Sequence, residues 1–235
     1  MIRAEALTVR YPRTRAPSVS DASFALTGGV TALLGANGAG KTTLLRALSG
    51  ALEPTAGRVS VDDLDPYDRR QRMTALQHVA YMPQSGAVPR NLSAFEFVSY
   101  LSWMRGLSRP VAEARTAQAL EAVGLSARSG DILGKLSGGM VRRVWLAQAL
   151  AAEATVLLLD EPSTGLDPRQ RATMVQLIRE RTSGTVVLSS HLIEDVLSLA
   201  SSVIVLRSGH IVYQGAICPE MNEEWLLGMI GEAEE

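Results

Sequence analysis

With 235 residues, 46% of them hydrophobic and 20% charged, the chain has enough apolar side chains to bury one large core, which excludes a disordered chain. Its 23 basic and 24 acidic residues leave a net charge of −1, which argues against the basic surface that nucleic acid or anionic lipid attracts. The one cysteine, Cys218, rules out an internal disulfide and a cysteine-based zinc site, in keeping with a reducing cytoplasm.

The opening MIRAEALTVRYP has no apolar stretch of signal-peptide length, and the longest apolar runs, such as Val156 to Leu159, are far too short to span a bilayer. A membrane role is therefore expected to pass through a partner. Ala6 to Val9, Ser18 to Ala25 and Arg58 to Val61 are short β-prone stretches parted by Pro and Gly, and they predict strands. Val30 to Leu34 is a compact apolar run and predicts a buried strand ending at Gly35, followed by a helix over Thr42 to Leu48.

The stretch between them, GANGAGKTT, fits the pattern G-x-x-x-x-G-K-[ST] in the strand-to-helix setting that the pattern needs. Glycines there let backbone N–H groups face phosphate oxygens. Gly35, Asn37, Gly38, Ala39, Gly40, Lys41, Thr42 and Thr43 are the candidate nucleotide-binding residues. Lys41 is expected to reach the β- and γ-phosphates and Thr42 to offer its hydroxyl to Mg²⁺.

Arg69, Arg70 and Arg72 read as a solvated helix face. From Asn91 to Arg128 the period becomes helical, with Phe97, Tyr100, Leu101 and Met104 on one stripe. Pro110 fits a helix start, and Gly124 closes a helix that runs to Val123. The aromatics Phe95, Phe97, Tyr100 and Trp103 read either as core of this helical block or as a groove for a helix of a membrane subunit. KLSGGMVRR, from Lys135, then sets a capping Ser and two Gly before another helix, to about Ala151. That is a second anion-binding helix start, far along the chain from the first.

VLLLDEP, Val156 to Pro162, is an apolar strand ending in two carboxylates. Asp160, at the C-terminal edge of a parallel strand beside the phosphate loop, is placed to hold Mg²⁺. Glu161 points elsewhere, because side-chain direction alternates, and can orient or deprotonate an attacking water. A helix after Pro168, a strand at Thr185 to Ser189, a helix from Leu192 to Leu199 and a strand at Ser202 to Leu206 complete a strand–helix alternation. The expected fold is α/β: a P-loop core on a mainly parallel sheet, an N-terminal antiparallel β sub-domain and an inserted α-helical sub-domain at about 91–135. One domain over 1–220 with an acidic tail over 221–235 is expected. His78 and His210 are read as structural.

In this order, the P-loop, Gln84, Leu136-Ser137-Gly138-Gly139, Asp160-Glu161, Ser163-Thr164-Gly165-Leu166-Asp167 and His191 resemble the nucleotide-binding domain of ATP-binding cassette (ABC) proteins, over about Leu7 to Gly215. The resemblance implies an ATPase using ATP and Mg²⁺, in which two cassettes pair head to tail. Leu136, Ser137, Gly138, Gly139 and Met140 would form the signature that closes over the partner's ATP, with Ser137 and Gly139 on its γ-phosphate. It further implies that Tyr11 stacks on adenine and that Gln84 reaches Mg²⁺ and the attacking water. His191 would contact the γ-phosphate and support Glu161, and Asp167 would touch the opposite P-loop.

Met140 departs from the Gln usual at that position and lacks its hydrogen bonds. Met there, together with NLSAFEFVSYLSWMRG (Asn91 to Gly106), resembles the exporter-type, drug- and antibiotic-resistance branch. The implied partners are a polytopic membrane permease and a second cassette, an identical copy being expected, on the inner face of the cell membrane. A soluble repair- or translation-type cassette is the alternative, but it fits less well: there is one cysteine, one cassette and no sustained heptad pattern. A P-loop kinase or GTPase leaves the signature unexplained.

Overall fold

The computed structural model describes residues 1–12, 14–180, 184–190, 192–218 and 220–231. Three strands, β1 (Ile2–Val9), β2 (Val19–Leu26) and β4 (Ala56–Val61), form an antiparallel sheet in the order β2-β1-β4. β1 starts earlier than its composition suggests. Ala6, at φ 47°, interrupts the register between Ala4 and Leu7, so that both bury on the same side despite their odd spacing.

The second sheet runs β5 (Val79–Met82), β6 (Val156–Asp160), β7 (Thr185–Ser189), β3 (Gly29–Leu34), β8 (Ser202–Arg207) and β9 (His210–Ala216). All its pairings are parallel except β8–β9. β6 and β7 are buried along their whole length and read as continuous apolar runs, as strands covered on both faces do. Register matters for function: Ser189 pairs with Leu33 on one side and Asp160 on the other. The C-terminal ends of β3, β6 and β7 therefore finish together, at the edge where open parallel sheets bind ligands.

The helical block comprises α3 (Ala94–Met104), α4 (Arg109–Ala122) and α5 (Gly138–Ala151). α3 opens on a capping box: the Glu96 N–H donates to Ser93 Oγ (3.1 Å) and the Ser93 N–H to Glu96 Oε2 (2.8 Å). α4 buries Ala112, Thr116, Ala119 and Leu120, one helical stripe, and ends at Gly124 with φ 69°. The aromatic cluster divides. Phe97 is buried edge-on against Trp145, with centroids 5.2 Å apart, and Phe95 packs on the same core. Tyr100 and Trp103 are 50% and 56% exposed, beside an equally exposed Met104.

α1 (Lys41–Leu48) fills the space between the two sheets with Leu44, Leu45 and Leu48. The remaining helices are α2 (Arg72–Gln77), α6 (Pro168–Glu180), α7 (Ile193–Leu199) and α8 (Glu223–Ile230). α8 packs Leu226 against β3 and β8 residues, so residues 223–230 are helical and docked. No helix among the described residues is long and apolar enough to cross a membrane.

Candidate functional site

β3 stops at Leu34 and α1 starts at Lys41. The loop between them is closed by backbone approach. A Cβ on Gly35 (φ 152°) would lie 2.3 Å from the Leu206 carbonyl, and one on Gly40 (φ 107°) 2.3 Å from the Ser18 carbonyl. Neither position admits a side chain. At Gly38, on the crest, a Cβ would meet nothing within 4 Å, so the space above the loop is open to a ligand. The first N–H groups of α1 lack intrahelical acceptors and carry the positive end of the helix dipole, with no acidic residue in that turn.

Lys41 is buried and donates Nζ to the carbonyls of Gly35 (2.6 Å) and Ala36 (3.0 Å). Burial pushes its pKa below the usual lysine value, against the opposing pull of the Glu161 and Asp160 carboxylates. A cleft of about 290 Å³ opens here, lined by Ser18, Asn37, Gly38, Gly40, Lys41, Thr42, Thr43, Gln84 and Glu161. The loop, the expected metal-binding hydroxyl, Gln84 and the expected base thus share one cavity. Ala39, by contrast, is buried in the core beneath it.

The two carboxylates are separated by a turn of the backbone. Asp160 is the last residue of β6 and is fully buried; it accepts from Ser189 Oγ at Oδ1 (2.8 Å) and from Tyr81 O–H at Oδ2 (3.3 Å). Glu161 has φ 48°, a left-handed conformation unfavourable for a side-chain-bearing residue, so it leaves the strand direction and lines the cleft. Its N–H donates to Ser189 Oγ (2.9 Å), and its Oε2 accepts from Thr164 Oγ1 (3.1 Å). Strand alternation alone does not separate the two acids; this residue's backbone does.

Tyr11 stands beside α1, its hydroxyl 3.4 Å from Thr43 Oγ1. Asp167 is exposed and accepts the Gln170 N–H at Oδ1 (2.9 Å), capping α6. His191 lies outside the described residues. Gly138, Gly139 and Met140 open α5; Leu136 precedes it in extended conformation, and Ser137 caps it, its Oγ accepting the Met140 N–H (3.3 Å). Ser137 and Gly138 are exposed, and none of the five lines the cleft. Within one chain the α1 and α5 helix starts therefore do not share a cleft. His78 bonds Asp62 (Nδ1 to Oδ2, 2.7 Å) at the opposite end of the sheet from the cleft, and His210 is exposed beside the β8–β9 turn.

Three supporting residues escape sequence reasoning. Ser189 bonds both Asp160 and Glu161. Tyr81 reaches Asp160, and its own carbonyl accepts from Gln148 Nε2 of α5 (2.8 Å); burial, with the carboxylate beside it, pushes the Tyr81 phenol pKa up. Arg142 of α5 donates to the carbonyls of Gln84, Asp160 and Glu161. Only the apolar strand ends and the Gln84 position hint at these partners, because each contact joins segments far apart in sequence.

The donor set suits Mg²⁺. Thr42, Gln84 and Glu161 offer hard oxygens to the cleft, and no cluster of three His, Cys, Asp or Glu builds an all-protein cage among the described residues. Asp160 is committed to Ser189 and Tyr81, so its place fits contact through one of the waters that Mg²⁺ retains.

Comparison with known proteins converges on one family. The "ABC transporter" family pattern matches residues 19–164, a span that includes residues 35–43, residues 136–140 and Asp160-Glu161. The chain is 34% identical over 217 residues to the probable multidrug ABC transporter ATP-binding protein YbhF of Escherichia coli, covering 92% of this chain but 37% of that protein. It is 36% identical to the sulfate/thiosulfate import ATP-binding protein CysA of Mesorhizobium japonicum, covering 96% of this chain and 67% of that one. A solved structure of the ATP-binding subunit of an ABC transporter superposes with TM-score 0.84 at 25% identity, over 92% of this chain and 90% of that one. The pattern match over well above half of the chain and the relatives at 34–36% identity agree: the chain belongs to the ABC transporter family.

Proposed function

We propose that this chain is the ATP-hydrolysing subunit of a membrane exporter, working as a pair of identical cassettes beneath a polytopic permease on the inner face of the membrane. The observation that carries the reading is the cleft itself: Lys41, Thr42, Gln84 and Glu161 line one cavity at a helix N-terminus, while the signature residues lie outside it. Two copies placed head to tail would supply the missing half of each site.

In the proposed cycle the P-loop amides and Lys41 bind the ATP phosphates, and Tyr11 packs on the adenine. Glu161 orients the attacking water and takes its proton, and Gln84 and His191 help to place that water. Ser137 and Gly139 of the partner cassette close over the γ-phosphate, and the α5 N-terminus offsets the charge that develops there. Mg²⁺, when bound through Thr42, Gln84 and Asp160, supplies charge neutralisation at the phosphates. Asp167 would meet the opposite P-loop. The half-exposed Tyr100, Trp103 and Met104 on α3 suit contact with a permease helix, and residues 91–135 would then move as a unit.

Export is supported by Met140 and by the Asn91–Gly106 block; YbhF carries a multidrug transporter name and CysA an import name at similar identity. The test is a pull-down of tagged Glu161→Gln protein from detergent-solubilised membranes, with and without ATP. Co-purification of a polytopic membrane protein is the expected result. Its absence under both conditions would favour a free-standing cassette.

A further inference from the structure

Arg142 does more than stabilise a helix. It lies on α5, five residues beyond the exposed Ser137 that caps that helix. Its guanidinium leaves α5 and meets the catalytic edge at three backbone points. Nη1 donates to the Gln84 carbonyl, and Nη2 donates to the carbonyls of Asp160 (2.9 Å) and Glu161. Nε is buried with no hydrogen-bond partner. A half-buried cation with an unmet donor costs free energy, and the fold keeps it where an apolar side chain would pack at lower cost.

The choice of acceptors is informative. Arg142 takes carbonyl oxygens, not the Glu161 carboxylate, so it fixes the backbone without donating to the base. At Glu161 it acts with Ser189: Ser189 Oγ accepts the N–H while Arg142 holds the C=O of a residue at φ 48°. The conformation that turns Glu161 into the cleft is thus clamped on both sides, one side by α5. One guanidinium joins the signature helix, the Gln84 segment and the end of β6.

We propose that Arg142 is a positioning residue that couples the two nucleotide sites of the cassette pair. This rests on the head-to-tail pairing proposed above. When the signature end of α5 engages ATP on the partner, Arg142 carries the resulting shift of α5 to Gln84 and Glu161 in the chain's own cleft. Each site then becomes active in response to occupancy of the other.

The test uses the full chain and compares wild type, Arg142→Ala and Arg142→Lys for ATP hydrolysis against ATP concentration, for binding of a fluorescent ATP analogue and for thermal stability. ATP-dependent dimerisation is followed in Glu161→Gln and in Glu161→Gln/Arg142→Ala. Arg142→Ala is expected to lower kcat by about tenfold to a hundredfold through misplacement of the water and its base. The Hill coefficient is expected to fall from above about 1 to about 1, with analogue affinity within about threefold of wild type. Dimers should still form, because Ser137 and the P-loop are intact. Lys, a point charge that cannot reproduce the planar fork, should preserve folding and recover only part of kcat. An unchanged Hill coefficient in folded Arg142→Ala, whether kcat falls or not, or full rescue of both by Lys with Ala merely unfolded, would overturn the proposal. If Glu161→Gln alone forms no dimer with ATP, the pairing reading itself fails and the coupling falls with it.

Discussion

At Glu161, one backbone angle decides the chemistry. The strand ends at Asp160, and at the next residue φ 48° carries the Glu161 carboxylate to the cleft, where Lys41 and Gln84 also lie. Replacing Glu161 by Gln removes the proposed proton acceptor while leaving size and the P-loop unchanged. Steady-state hydrolysis should fall by about 10²- to 10⁴-fold, with binding of a fluorescent ATP analogue retained. Ser189 is a second such point. Ser189→Ala strips Asp160 of a buried donor and the Glu161 N–H of its acceptor, so urea unfolding should show a loss of about 1–3 kcal/mol. That Lys41, Thr42 and Glu161 gather at one cleft was legible in the sequence, because the cue for each is carried by its neighbours in the chain. Ser189 and Arg142 were not, because their partners are 28 or 29 and 18, 19 or 58 residues away.

Among the elements, the β3–loop–α1 unit is set by local rules strong enough to read directly: an apolar run, glycines, then a helix. Gly40→Ala tests the strictness of that unit. Its Cβ would meet a backbone carbonyl at 2.3 Å in a left-handed conformation, so the loop must open. We expect a drop of about 1–3 kcal/mol in stability, read by thermal or urea unfolding, and loss of analogue binding. The extent of the helical block was legible, since Pro110 and Gly124 mark both ends of α4. The stripe expected on α3, however, is not the buried one: Phe97 is buried while Tyr100 and Met104 are half-exposed, and Ala94, Val98 and Ser102 face the core instead. β9 was harder to see, although its signal was present. Ser208 and Gly209, at φ 48° and 82°, form the two-residue left-handed turn that hairpins favour, and Arg207 pairs with His210 across it. The strand that follows is only partly buried, so its hydrophobic alternation is faint. α2 is six residues long, too short for a period to emerge, and α8 is fixed mainly by packing of Leu226 and Trp225 on the sheet.

For the whole molecule, the two helix starts are set on separate surfaces. The chain carries two helix starts suited to phosphate, and only one of them lines the cleft. The account gives the second to a partner's ATP. Ser137→Arg would place a long cation at the exposed start of α5, where the γ-phosphate of the partner's ATP is expected to sit. Loss of the Ser cap should cost about 1 kcal/mol, small against loss of pairing. In the same frame, Trp103→Ala on the exposed face of α3 should weaken co-purification with the proposed permease while leaving the hydrolysis of free cassettes within about twofold, because the residue does not line the cleft.

The measurement that bears most directly on the account is the molar mass of Glu161→Gln protein by size-exclusion chromatography with light scattering, with and without ATP, alongside the Glu161→Gln/Ser137→Arg double variant. The account predicts a dimer only when ATP is present and only in the protein that keeps Ser137. A monomer with saturating ATP, or an ATP-dependent dimer that survives Ser137→Arg, would contradict it.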